Sequence, residues 1–184
     1  MTTIAYREGM IASDSQVTSG NVFDCTSEKI ARNERGDIAG ASGCLVFSQA
    51  FLDWFQGGEK GELPKCPDEA EAFIVRNAAP ERVECFDNRG QCVVSAPYYA
   101  VGSGKRVALG AMAFGADAIQ AVNCAIKHDI YTGGTVDTLK LVGLLHQELA
   151  EDRVDSEVNP PKYEISGPGL CTGLCGAYWH KARR

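Results

Sequence analysis

The sequence is poor in several features that mark common enzyme and binding classes. It has only three histidines in 184 residues. They stand apart at His128, His146 and His180, and there is no G-x-S-x-G elbow, which argues against a Ser-His-Asp hydrolase. A phosphate-binding loop is missing too. Gly102-Ser103-Gly104-Lys105 has the look of its end, but Tyr99 stands where a glycine is required and Arg106 where a hydroxyl should hold a metal ion. No apolar run approaches the ~20 residues of a membrane span. The start, Met1-Thr2-Thr3-Ile4, lacks the basic and apolar regions of an export signal. Basic residues are the minority, 18 Lys and Arg against 24 Asp and Glu, giving a net charge of −6. A chain this acidic lacks the footprint of a dedicated nucleic-acid binder. The expectation is a cytoplasmic protein with neither nucleic acid nor membrane as partner.

What is present is ordinary globular composition, 45% hydrophobic and 23% charged. A chain of this length buries roughly 70% of its unfolded surface and needs no disulfide or metal to fold. Its eight cysteines are expected as reduced thiols. Cys171 and Cys175, with His180 following, offer three ligands where structural zinc takes four. No metal and no cofactor are expected.

The order of patterns predicts the architecture. Thr3–Tyr6 and Met10–Ala12 read as a hairpin about Arg7-Glu8-Gly9, ending at Ser13-Asp14-Ser15. Ser19 to Ser27 is a polar stretch. Lys29–Ala31 and Asp37–Gly40 read as strands around Asn33-Glu34-Arg35-Gly36. Cys44–Phe55 has the spacing of a helix packed on a sheet, stopped by Gly57-Gly58. Pro67-Asp68-Glu69-Ala70 reads as the opening of a second helix, with proline and acids in the first turn. Arg82–Phe86 and Gln91–Ser95 flank Asp87-Asn88-Arg89-Gly90, a hairpin signal. Tyr98–Val101 is a strand. Val107–Ile126 is helical, with Gly110 and Gly115 positioned to divide it. Val136–Leu145 is a strand or a helix start. Strands broken by helices without a βαβ rhythm predict an α+β fold. Residues 1–147 read as one domain and 148–184 as a tail of unassigned structure.

The N-terminus carries the chemistry. With Met1 removed, Thr2 holds a hydroxyl and a free α-amine on one residue. That amine titrates near 7.7–8.0, low enough to act as a general base. A hydroxyl activated by its own amine is an alternative to the Ser-His pair.

Around this start, short motifs follow in order. They are Thr2-Thr3-Ile4, Ala12-Ser13-Asp14-Ser15-Gln16, Ile38-Ala39-Gly40-Ala41-Ser42-Gly43, Gly102-Ser103-Gly104 and Asp129-Ile130-Tyr131-Thr132-Gly133-Gly134. Over roughly residues 2–142 the set resembles the proteasome-type family of N-terminal nucleophile hydrolases, in its HslV-like branch. The resemblance implies a four-layer αββα sandwich. It implies Thr2 as nucleophile, Lys29 as the cation beside it and Asp14 as the partner of Lys29. Gly43 would supply the oxyanion N–H. Ser103, Asp129 and Thr132 would orient the group. Ser27, Ala31, Ala41 and Leu45 would line the first specificity pocket, with apolar preference. It further implies homo-oligomeric stacked rings, unfolded polypeptide as substrate and an ATPase unfoldase on a separate chain, since no ATPase motif is present. The first hairpin is shorter than the family's, and the second helix should be trimmed. Two rival readings are a non-catalytic ring subunit that keeps Met1 and an amidase of the same nucleophile class acting on small amides.

Overall fold

The computed structural model describes residues 2–20 and 22–143, and every structural statement below concerns those residues. The chain opens with β1 (Thr3–Arg7) and β2 (Met10–Asp14). They are joined through Glu8 and Gly9, at φ 48° and 80°. Two successive left-handed residues match the twist of the flanking strands and close the hairpin tightly. The chain continues through β3 (Gln16–Ser19), β4 (Val22–Thr26), β5 (Ile30–Arg32), β6 (Ile38–Ser42), helix α1 (Leu45–Gln56) and β7 (Glu71–Arg76). Then come β8 (Ala79–Asp87), β9 (Gly90–Ser95), β10 (Tyr98–Gly102), α2 (Lys105–Ala113), α3 (Ala118–His128) and β11 (Val136–Lys140).

All strand pairs are antiparallel. One sheet runs β10-β1-β2-β11, a second runs β5-β6-β7-β8-β9, and β3-β4 forms a separate ribbon. Alternation decides which face goes where. Ile4, Tyr6 and Ile11 turn from the four-stranded sheet onto Ile38, Phe73, Val75 and Val83 of the five-stranded sheet. The opposite face of β1, β2 and β10 buries alanines at its centre, Ala5, Ala12 and Ala100, flanked by Met10 and Tyr98, and seats Ala108 and Met112 of α2 and Ala118, Ala121 and Val122 of α3. A one-residue slip of β1 would exchange these two sets, so the register is strongly specified. On the five-stranded sheet, Ala39, Ala41 and Ala72 make room for Phe47, Phe51 and Phe55 of α1. Phe51 meets Phe86 edge-on, with centroids 5.1 Å apart. Each such aromatic stabilises the fold by about 1.5–3 kcal/mol through burial. No described helix is long and apolar enough to cross a membrane.

Two sequence expectations change and a third is resolved. Pro67–Ala70 is a turn rather than a helix start. Ala70 N–H donates to Pro67 O at 3.3 Å and Glu69 is left-handed at φ 63°. The next residues, Ala72-Phe73-Ile74-Val75, pair with β6 on one side and β8 on the other. Their strand preference, satisfied on both edges, outweighs the proline-and-acid signature. No described helix lies between α1 and α2, so the second helix is replaced rather than trimmed. The polar stretch 19–27 contains β4, which pairs with β3. Finally, 107–126 divides into α2 and α3. Gly115 turns at φ 97°, and Asp117 starts α3 with a reciprocal cap. Its side chain accepts from Gln120 N at 2.7 Å, while Gln120 Oε1 accepts from Asp117 N at 3.1 Å. Gly110 stays inside α2. Within residues 136–145, Val136–Lys140 takes the strand alternative, and residues 144–145 lie outside the described residues. The tail, with Cys171 and Cys175, lies outside the described residues.

Candidate active site

Asp14 ends β2 and is fully buried. Four donors converge on it. Thr2 Oγ1 donates to Oδ1 at 2.7 Å, Thr3 N–H at 2.8 Å and Lys29 Nζ at 3.0 Å, while Gly133 N–H donates to Oδ2 at 3.0 Å. Local structure explains each approach. β1–β2 register sets Ile4 opposite Ser13, which brings Thr2 and Thr3 across from Asp14. Lys29 stands one residue before β5, and its carbonyl accepts from Ala41 N at 3.1 Å. The Gly133 carbonyl accepts from Gln16 N at 3.0 Å, holding the Gly133–Gly134 bend against the end of β2.

Lys29 is also buried, and its ammonium donates a second bond to Gln16 O at 2.5 Å. Burial pushes it below the ordinary lysine range, and the Asp14 charge works in the opposite direction. A buried charge pair is tolerable only when both members are hydrogen-bonded in this way.

A second array adjoins the first. Asp129 closes α3, its N–H donating to Ala125 O at 2.7 Å. Its Oδ2 accepts from Ser103 Oγ at 2.7 Å and from Thr132 Oγ1 at 2.6 Å. Thr132 spends its proton on Asp129, so the Thr3 hydroxyl is the donor across the 2.6 Å Thr3–Thr132 contact. Ser103 Oγ also lies 3.3 Å from Thr2 O. It does not cap α2, whose N-cap is Gly104.

Two glycines permit this crowding. A Cβ on Gly102 would sit 2.0 Å from Thr2 O, and one on Gly104 would sit 2.1 Å from Thr3 Oγ1. Gly43 follows β6 at φ 103°, and a Cβ there would meet Ala70 Cα at 2.6 Å. Thr2, Gly43 and Ser103 line one cavity of about 580 Å³, with Thr18, Cys44, Asp68, Glu69, Ala70, Glu71, Asp87, Asn88, Arg89, Gly102 and Lys105.

The structure therefore brings Thr2, Asp14 and Lys29 together, sets Ser103, Asp129 and Thr132 beside them, and opens Gly43 onto the same cavity. The four pocket residues fall elsewhere. Ala31 and Ala41 are core residues beneath α1. Ser27 Oγ donates to Glu28 O at 3.1 Å, and Leu45 is exposed on the first turn of α1. None of the four lines the cavity. Thr3, Gln16 and Gly133 stand within the motifs quoted from the sequence, but no site role was expected of them. Among the described residues, burial pushes the half-buried Cys66 thiol up to about 11 and raises the buried Cys85 too, which disfavours both as nucleophiles.

Solved structures share this fold. Thiobacillus denitrificans BPH matches with a TM-score of 0.54 and 20% identity, over 76% of this chain and 97% of that one. The same protein in complex with epoxomicin gives 0.55 and 20%, over 76% and 98%. Eukaryotic HslV from Trypanosoma brucei gives 0.56 and 18%, over 75% and 97%. No family model and no curated protein sequence matches the chain. At these identities the likeness establishes the fold alone, an α+β fold shared with these structures.

Proposed function

We propose that the chain is a threonine-type peptidase subunit, active once Met1 is removed. Thr2 Oγ1 adds to a peptide carbonyl carbon while the freed Thr2 amine takes its proton. The lone pairs of Asp14 already serve four donors, which leaves the amine as proton acceptor. Asp14 orients the hydroxyl and anchors Lys29, whose positive charge favours the developing alkoxide. Gly43 N–H stabilises the tetrahedral oxyanion. Collapse breaks the C–N bond, the ammonium returns its proton to the leaving amine, and an ester on Thr2 remains. Water, deprotonated by the same amine, hydrolyses that ester. The layers read as a four-layer αββα sandwich. As in the family the motifs resemble, stacked homo-oligomeric rings would confine the nucleophile to unfolded chains delivered by a separate ATPase.

The observation that carries this reading is the convergence of Thr2 Oγ1 and Lys29 Nζ on one oxygen, at 2.7 and 3.0 Å. The test combines intact mass with turnover of unfolded casein. Protein that has lost Met1 should cleave, Thr2→Ala should not, and Thr2→Ser should retain part of the rate. Undiminished cleavage by Thr2→Ala would overturn the assignment. A mass retaining Met1, with no turnover, would favour the scaffold reading. Labelling by epoxomicin without peptide cleavage would favour an amidase.

A further inference from the structure

The cavity beside Thr2 has a charge pattern that the reaction itself does not need. Four carboxylates line it, Asp68, Glu69, Glu71 and Asp87, against two cations, Arg89 and Lys105. Two of the acids are neutralised in place. Arg89 forks onto Asp87 Oδ2 at 2.6 and 3.1 Å, and Lys105 Nζ pairs with Glu71. The other two are not. Asp68 accepts from the neutral Asn88 amide at 2.8 Å, and no described salt bridge involves Asp68 or Glu69. Both side chains are exposed.

These charges are held in place by the backbone. They sit on the Pro67–Ala70 turn, whose Ala70 is buried among the α1 aromatics. The turn leans so closely on Gly43 that only a glycine fits there. The uncompensated acids therefore face the nucleophile from a wall tied to the proposed oxyanion donor. A concave cleft with one sign of charge in excess raises the local potential beyond what the same charges produce on a flat surface.

We propose that this cavity receives cationic side chains, so that the enzyme cleaves polypeptides next to Lys or Arg. The inference deepens the peptidase reading and rests on it. It replaces the apolar preference expected from Ser27, Ala31, Ala41 and Leu45, which lie outside the cavity. A lysine or arginine reaches an acidic wall with its charge while its stem stays against Thr2 and Gly102.

The experiment uses full-length protein with Thr2 exposed, confirmed by mass, and three matched peptide series carrying Arg, Leu or Glu at each position flanking the cut. Arg peptides should be cleaved with kcat/KM about tenfold above Glu peptides at low salt, and the ratio should shrink at high ionic strength. In the Asp68→Asn, Glu69→Gln double variant the Arg-to-Glu ratio should fall to about twofold or less, because the field is removed. In the Asp68→Lys, Glu69→Lys variant it should invert. The ratio is the readout, because partial misfolding lowers both rates together. Cleavage with a flat ratio, or one indifferent to these variants, overturns the charge assignment and leaves the Thr2 assignment standing. No cleavage of any series and no epoxomicin label on Thr2 overturns both.

Discussion

Two polar clusters sit in this fold, and they differ in what they do to their charges. One is the Asp14–Lys29 site. The other joins the β5–β6 turn, the loop after α1 and β7–β8. There Arg76 donates to Glu84 Oε1 at 2.8 Å and Oε2 at 2.7 Å, to Glu59 Oε2 at 2.9 Å and to Asp37 Oδ2 at 3.3 Å. Arg35 adds a bond to Asp37 Oδ2 at 3.1 Å. Every shift in this second cluster reinforces the ordinary charge. Hydrogen bonds to Glu59 and Glu84 drive the Arg76 guanidinium upward. Hydrogen bonds from Arg76 hold Glu59 below the usual carboxylate range, against its burial. Burial alone would raise Asp37, but bonds from Asn77 N–H, Asn33, Arg35 and Arg76 hold it down. At the Asp14 site the balance is reversed, because burial moves Lys29 away from its charged form. The cleft beside Arg76 is lined by Arg35, Asp37, Glu59, Asn77 and Ala78, with no hydroxyl or thiol to act as nucleophile. Perturbed titration alone does not mark an active site. Perturbation against the charge, beside a hydroxyl and a cavity, is the informative combination.

The sharpest break in that comparison after the loss of turnover in Thr2→Ala is Asp14→Asn. It leaves the Lys29 ammonium buried without its counter-ion, so the fold should lose about 3–5 kcal/mol. Lys29→Met should cost less stability, because Asp14 keeps Thr2, Thr3 and Gly133 as donors. Its turnover should nevertheless fall as steeply as that of Asp14→Asn. Denaturant melts alongside peptide turnover separate the two. Equal destabilisation by both variants would mean that the pair, rather than Asp14, organises the site.

A smaller effect is expected at Gly104. Its φ is −84°, so alanine meets no backbone strain there, but the new methyl would lie 2.1 Å from the Thr3 hydroxyl, 3.0 Å from Ala125 Cβ and 3.1 Å from Asp129 Oδ2. Gly104→Ala should cost about 1–3 kcal/mol by overpacking, and turnover should fall as the Thr3–Thr132–Asp129 chain shifts. Gly110→Ala on α2 meets open space and is the control.

Much of this was legible beforehand because it is local or periodic. The β1 alternation, the Asp87–Gly90 hairpin and the α1 aromatic stripe each follow from spacing within a few residues. The ordered motifs named Thr2, Asp14 and Gly43 before any geometry was available, and the resemblance they carry implied Lys29. What could not be read was non-local. Pro67–Ala70 has the composition of a helix start, and only the pairing of β7 with two neighbours decides against it. Ala31 and Ala41 are small apolar residues in either role, and their place beneath α1 depends on how deeply Phe51 and Phe55 seat. The acidic wall is invisible in sequence, because Asp68, Glu69 and Asp87 meet only when the turn folds onto Gly43.

The smallest expected effect tests the second cluster. Arg76→Met should cost about 1–3 kcal/mol at neutral pH, because three carboxylates, Glu84, Glu59 and Asp37, lose a charged donor, and activity per folded molecule should be unchanged. The acid range then tells the mechanism apart from lost packing. Glu59 and Asp37 titrate lower in the folded chain than in the unfolded one. Their contribution is complete above the unfolded values near pH 4. As the pH falls through that range the unfolded chain binds protons first, and stability drains until the folded values are passed. In Arg76→Met the folded values move back toward the unfolded ones, so the variant has less to lose. The stability gap between the two proteins should therefore narrow from pH 6 to pH 2. Lys29 does not intrude, because it is present in both proteins and its contribution cancels in the gap. Urea melts across that range measure the gap directly. A gap that stays constant to pH 2 would assign the loss to the arginine stem and its packing, and the contrast between a reinforcing and an opposing cluster would then rest on the Asp14 site alone.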